Sequence, residues 1–171
     1  MLSVQLKNED GRYPNRTSRH DPAPDLRLVS QAEIKQLVQV QGLSRCCLKQ
    51  DFQCFTLIQR ALKYENTHSL YDVLNDLRAG KAQLWVAGYG NTIDGICVTC
   101  INNYPNTTIC LIWLCAGIGR EKYTRLIGNI EQWAKAQGCE SISLEGRPGW
   151  ERILTDYKKT KIILEKVLYD G

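Results

Sequence analysis

The chain has 171 residues, enough for one domain with a substantial buried core. Hydrophobic residues make up 43% of it and charged residues 23%, a composition typical of a folded globular protein and not of a disordered chain. The net charge is only +4 and the two signs are mixed along the sequence, which argues against a nucleic-acid-binding protein and predicts a mixed, solvated surface.

The sequence also bears on the cellular location of the protein and on the state of its cysteines. No segment is apolar over the ~18 residues that a membrane-spanning helix needs, and the N-terminus lacks the apolar run of a signal peptide. We therefore expect a cytoplasmic protein with no membrane partner, whose eight cysteines are free thiols packed as small apolar side chains. Cys97 and Cys100 have CxxC spacing, but they lie in a predicted strand, where positions three apart face opposite sides, so no metal site is predicted.

The first part of the chain is polar and then helical. Residues 1–25, which include Asp21-Pro22-Ala23-Pro24, predict a loose and disordered arm in front of a single domain over 26–171. Ser30 and Glu33 have the spacing of a capping box at the start of a helix. The elements predicted here are a strand Leu26–Val29, a helix from Ser30 to Gly42, a helix Leu48–Tyr64, and a helix Leu70–Arg78 capped by Thr67 or Ser69.

The pattern changes after Gly80 to strands separated by Gly/Asn and Pro/Asn turns, which predicts an antiparallel meander. A strongly periodic helix follows it. The elements predicted here are strands Gln83–Ala87, Ile93–Asn102 and Thr107–Cys115, a helix from Tyr123 to Gly138, a strand Glu140–Leu144, a short helix Pro148–Leu154, and a final buried strand Lys161–Leu168. The fold class is therefore α/β, in a mixed α+β arrangement.

Gly117-x-Gly119, between a strand and the long helix, is the feature most suggestive of a ligand. Glycines allow the backbone to turn closely at a helix N-terminus, where free N–H groups favour phosphate, and Arg120 adds positive charge. A simple tight turn explains the same two glycines equally well. A dinucleotide-binding fold is disfavoured, because Lys122 stands where its third glycine belongs.

The order of elements and the run Leu114-Cys115-Ala116-Gly117-Ile118-Gly119 resemble the GNAT superfamily of acyl-CoA-dependent N-acyltransferases, whose corresponding loop reads Arg/Gln-x-x-Gly-x-Gly/Ala. Leu114 departs from that pattern. The resemblance implies a central, mostly antiparallel mixed sheet with helices on both faces. It also implies that acetyl-CoA or another acyl-CoA is bound by Cys115, Ala116, Gly117, Ile118, Gly119 and Arg120.

The implied activity is transfer of an acyl group from CoA to the amine of a small molecule or a protein. That chemistry needs a base for the amine and a proton for the leaving thiolate. The strand Thr107–Cys115 contains no acid or His, although the family often keeps its base there. Glu145 is therefore the candidate base, with a surface ion pair to Arg147 as the equal alternative. Tyr157 is the candidate acid, with a core aromatic as the alternative. Cys115 is predicted to be a buried filler, because neither histidine is near it in sequence to activate it.

A narrower resemblance leads to a second hypothesis. Gly138-Cys139 and the run from Leu144 to Trp150 look like small GNAT-like proteins of tailed bacteriophages, which include internal virion and head-morphogenesis proteins. The alternative function is therefore a catalytically silent GNAT-fold protein in the virion or the host cytoplasm, which binds a virion or host protein.

Overall fold

The structure is a computed structural model that describes residues 25–39, 49–65, 67–89, 92–117, 127–146 and 148–168. The predicted arm, apart from Asp25, lies outside the described residues. So do Ile118, Gly119 and Arg120 of the predicted loop, and the predicted beginning of the long helix.

A five-stranded sheet forms the centre of the domain. Its strands follow one another in sequence order, and every neighbouring pair is antiparallel except the last, which is parallel. The strands are β1 Asp25–Leu28, β2 Ala82–Tyr89, β3 Thr92–Tyr104, β4 Thr107–Gly117 and β5 Ser141–Leu144. The predicted meander followed by a parallel crossover is thereby confirmed.

The described residues contain four α-helices beside the sheet: α1 Gln31–Gln39, α2 Lys49–Leu62, α3 Leu70–Arg78 and α4 Ile127–Ala136. The predicted cap of α1 is present, since the Ser30 N–H donates to Glu33 Oε2 at 2.9 Å and the Glu33 N–H donates to Ser30 Oγ at 3.3 Å. Ser69, and not Thr67, caps α3 in a second capping box with Asp72.

Two apolar clusters lie on opposite faces of the sheet. Leu84 and Val86 of β2 belong to a first cluster, which also contains the buried residues of α1, α2 and α3. The alternate residues Trp85 and Ala87 belong to a second cluster, which contains the buried residues of α4. Strand alternation therefore places helices on both faces, as predicted.

The CxxC cysteines follow the same alternation. Cys97 lies in the second cluster, whereas Cys100 packs against the first. The two thiols therefore face opposite sides of β3, as expected. Within the described ranges, no group of three or more His, Cys, Asp or Glu residues could hold a metal ion.

The C-terminal prediction was wrong. Residues 161–168 form no strand, and their apolar side chains are exposed, from 75% for Ile163 to 91% for Leu164. An apolar run becomes a buried strand only beside a neighbouring strand, and none of the described strands pairs with this segment. The predicted helix Pro148–Leu154 is shortened to a 3₁₀ turn, Pro148–Trp150, since Gly149 disfavours a helix interior.

Among the described helices, none is long and apolar enough to cross a membrane.

Candidate functional site

The site begins where β4 and β5 part. The two strands are paired only from Ile109↔Ser141 to Ile112↔Leu144, after which β5 ends while β4 continues to Gly117. Beyond Ile112, β4 is therefore paired with β3 on one side only. Its backbone groups on the other side face an opening in the sheet.

A β-bulge lies at the same point. Thr99 of β3 pairs with Ile112, and Val98 pairs with Leu114, so Trp113 is an extra residue on β4. Bulges bend a strand and disrupt the ladder locally, and they are over-represented next to active sites. The bulge and the parting together free the end of β4 from regular pairing.

A cavity of about 460 Å³ occupies this opening. Its walls come from the end of α2, the middle of β3, β4 from Ile112 to Gly117, the first turn of α4, and the residues after β5. The volume falls in the range of ligand pockets, and most of the lining is apolar. The cavity is thus the main candidate site of the described residues.

The predicted cofactor residues that can be placed lie in this cavity. Cys115, Ala116 and Gly117 all line it, at the free end of β4. Glu145, the candidate base, lines it from the residues after β5. The structure therefore brings Glu145 and these three loop residues together.

The prediction that Cys115 is a buried filler was wrong, because Cys115 is exposed. It lies opposite Cys97 in the β3–β4 register, and none of the described strands pairs with β4 on the other side at this position. A hydrogen bond from the Cys97 thiol to the Cys115 sulfur lowers the pKa of Cys115, and the same bond together with burial raises the pKa of Cys97. Cys115 is therefore the more reactive thiol of this pair.

Tyr157, the candidate acid, lies elsewhere. Its hydroxyl donates to Glu131 Oε1 at 2.8 Å, and the two residues line a separate cavity of about 190 Å³. Burial, followed by the bond to Glu131, raises the pKa of Tyr157. Tyr157 and Glu145 thus do not meet in one cavity of the described chain, and a catalytic role for Tyr157 stays a prediction.

A polar group on the wall of the main cavity next to the end of α2 was not predicted from the sequence. Glu65, three residues beyond α2, lines the main cavity, and its Oε1 lies 2.9 Å from His68 Nδ1. The His68 ring packs edge-on against Trp113, the bulge residue, with ring centroids 4.8 Å apart. The spacing Glu65-x-x-His68 after an amphipathic helix was the available signal, but it gave no indication of contact with β4.

Comparison with known proteins identifies the fold through structural likeness. No protein-family model and no curated protein matches the sequence. Solved structures do match. An aminoglycoside acetyltransferase from an uncultured soil metagenomic sample has a TM-score of 0.57 at 12% identity, covering 87% of this chain and 99% of its own. A GNAT family acetyltransferase from Staphylococcus aureus has a TM-score of 0.56 at 16% identity, covering 86% of this chain and 100% of its own.

The chain has the GNAT acetyltransferase fold. A third match is a predicted acetyltransferase from Clostridium acetobutylicum, solved with acetyl-CoA. Its TM-score is 0.54 at 16% identity, and the match covers 85% of this chain and 96% of that one. At these identities the likeness is one of fold, so activity has to be argued from the site itself.

Proposed function

We propose that this protein is an acyl-CoA-dependent N-acyltransferase. The observation that carries the proposal is the cavity at the parting of β4 and β5, on a GNAT fold. An acyl-CoA bound there supplies an acyl group activated as a thioester. The relatives of similar structure include enzymes whose acceptors are aminoglycosides, which supports an amine as the acceptor class.

The residues present fit a coenzyme A. An extended pantetheine arm contains amides, and β4 between Trp113 and Gly117 offers backbone N–H and C=O groups that β5 leaves unpaired. The apolar wall suits the methylene parts of the arm. The proposed pyrophosphate-binding residues are Cys115, Ala116, Gly117, Ile118, Gly119 and Arg120, because free backbone N–H groups after a strand favour an anion.

The acid/base assignments remain part of the proposal. Glu145 lines the cavity and is a candidate to take a proton from the acceptor amine. Tyr157 is a candidate proton donor to the leaving thiolate, and it would first have to release its hydrogen bond to Glu131. The Tyr157 hydroxyl is protonated at neutral pH, and its raised pKa makes it a weaker proton donor than an ordinary tyrosine.

A catalytically silent protein is the second candidate. The observation that favours it is the exposed apolar segment 162–168, a surface suited to contact with another protein. In this case the protein is a phage virion or morphogenesis component, or acts on a host protein. Such a protein would keep the fold without binding acyl-CoA.

Calorimetry with acetyl-CoA and CoA separates the two candidates. We expect binding in the micromolar range, and loss of at least tenfold in affinity for Gly117→Glu, which places a negative side chain at the pyrophosphate loop. Gly128→Ala on α4 is the matched control, because a Cβ there meets no atom within 4 Å. Absence of binding by the folded wild-type protein at millimolar ligand would exclude the acyltransferase.

A further inference from the structure

Two cysteines of neighbouring strands face each other at the wall of the main cavity. Cys97 of β3 is paired with Cys115 of β4 in the antiparallel register, and both residues line the cavity. Residues directly opposite each other in an antiparallel pair have Cα atoms about 4.5–5.5 Å apart, and a disulfide spans about 4.4–6.8 Å. The register therefore places the two cysteines within the Cα separation that a disulfide requires.

The two sulfur atoms are already neighbours while both thiols are free. Side chains of directly opposite residues lie on one face of a sheet, close enough to interact. Here the Cys97 thiol donates a hydrogen bond to the Cys115 sulfur. A bond between the two sulfurs therefore needs no rearrangement of the strands.

No other two cysteines of the described strands are paired in this way. In the β3–β4 register, Cys100 is opposite Leu111 and Cys110 is opposite Ile101. On its other side Cys110 is opposite Ile142 of β5. Among the cysteines of the sheet, a disulfide between opposite residues is therefore expected at Cys97 and Cys115 alone.

The two thiols differ in their access to solvent. Cys115 is exposed, whereas only 5% of Cys97 is exposed. A reagent in solution therefore meets Cys115 first, and the lowered pKa of Cys115 raises its thiolate fraction. An accessible thiol of lowered pKa beside a second cysteine is the arrangement of an attacking thiol and a resolving thiol.

We propose that Cys97 and Cys115 form a redox-active dithiol site, which takes a low-molecular-weight disulfide as its oxidant. The Cys115 thiolate attacks one sulfur of the disulfide R–S–S–R, forms a mixed disulfide and expels one thiolate, which takes up a proton. Cys97 then loses its proton and attacks the Cys115 sulfur, which forms the Cys97–Cys115 disulfide and expels the second thiolate. Two protein thiols are thereby oxidised by two electrons, and one R–S–S–R is reduced to two R–SH. The site acts without acyl-CoA, so it does not rest on the acyltransferase function.

The test uses the full, reduced chain with glutathione disulfide as the oxidant. Remaining thiols are blocked with iodoacetamide, and chymotrypsin then cleaves after Trp113 or Leu114, which separates Cys115 from the cysteines that precede it. We expect mass spectrometry to find the Cys115 peptide linked to Cys97, with little mixed disulfide, and dithiothreitol to restore both thiols. Linkage of Cys115 to any other cysteine, a mixed disulfide that persists on Cys115, or a Cys115 thiol left unoxidised by excess glutathione disulfide overturns the inference.

Three variants separate the two roles. Cys97→Ala removes the resolving thiol, so the mixed disulfide on Cys115 should accumulate about tenfold or more above its wild-type level. Cys115→Ala removes the attacking thiol, so oxidation of Cys97 should slow about tenfold or more. Cys100→Ala, which changes a partly buried cysteine of the same strand, is the matched control and should form the disulfide at the wild-type rate.

Equal amounts of mixed disulfide in wild type and Cys97→Ala would overturn the resolving role of Cys97. Thermal unfolding shows whether each variant is folded, and the peptide map of the wild-type protein decides the proposal where a variant is not. Neither experiment contains acyl-CoA. Their outcome is therefore independent of the calorimetry that tests the acyltransferase function.

Discussion

At the scale of single residues, the site contains thiols in contrasting environments. Cys97 and Cys115 face each other across β3 and β4, yet their pKa values move in opposite directions because one thiol donates to the other. Elsewhere burial raises the pKa of Cys100 to about 11 and that of Cys110 to about 12. Reactivity among the described cysteines is therefore concentrated at the cavity.

We expect iodoacetamide to alkylate Cys115 before the other cysteines of the described residues. Its lowered pKa gives it the largest thiolate fraction at a given pH, and its exposure gives access. Mass spectrometry of peptides, sampled over time and at several pH values, checks this. Labelling of Cys115 should rise at lower pH than labelling of Cys100 or Cys110, and should slow in the presence of CoA. Faster labelling of Cys97 would contradict the assigned hydrogen bond.

At the scale of elements, local signals determine helix ends well. The capping box of α1 was predicted from Ser30 with Glu33, and the cap of α3 was predicted as Thr67 or Ser69, since capping depends on residues three apart. The meander strands were equally visible from their turns. Local signals do not predict which strands pair with one another, because strand pairing depends on residues distant in sequence. For this reason the segment Lys161–Leu168 was wrongly predicted as a strand.

Removal of the α3 cap tests this local contribution. We expect Ser69→Ala to lower the free energy of unfolding by about 1 kcal/mol, because both hydrogen bonds of the Ser69 hydroxyl with Asp72 are lost. Hydrogen bonds from Ser69 lower the pKa of Asp72, so its contribution is present above the ordinary Asp pKa and is lost as pH falls through the folded-state value. Urea unfolding at neutral and acidic pH measures both effects. If wild type and Ser69→Ala differed in the free energy of unfolding by the same amount at both pH values, the result would argue against the capping box.

The candidate site could be predicted only in part, for the same reason. Cys115, Ala116 and Gly117 were predicted from a contiguous motif, and Glu145 from the end of the predicted strand Glu140–Leu144. All four line the cavity. Glu65 and His68 were missed, because their contact with Trp113 joins segments that are distant in sequence. Neither helical nor strand periodicity in the sequence predicts a contact between distant segments.

At the scale of the whole molecule, the two apolar clusters account for the buried core on either face of the sheet. Among the described residues, Leu154 is the last buried one that belongs to either cluster. Tyr157 still packs against the second cluster. From residue 158 to residue 168 the apolar side chains lie at the surface and not in the interior. The stability of the domain therefore does not depend on the last ten described residues.

Truncation after Thr160 tests this independence. We expect the thermal unfolding midpoint to stay within about 2 °C of the full chain, because the removed side chains are exposed and such changes are worth about 0.5 kcal/mol or less. We also expect weaker self-association by light scattering, since an exposed apolar run favours contact between molecules. A large drop in the midpoint would show that residues 161–168 pack within the folded chain.

The extra residue in β4 has a consequence for the orientation of every side chain after it. Cys110 and Ile112 belong to the cluster on the α4 face, and regular alternation would put Leu114 there too. Leu114 instead belongs to the cluster on the opposite face, together with the adjacent Trp113. The bulge thus reverses which face of the sheet each later side chain of β4 points to. Cys115 therefore lies on the α4 face, where Cys97 also lies. Deletion of one residue here would exchange the two faces of the strand end. The position of the thiol is therefore set by the number of residues in β4 as much as by their chemistry.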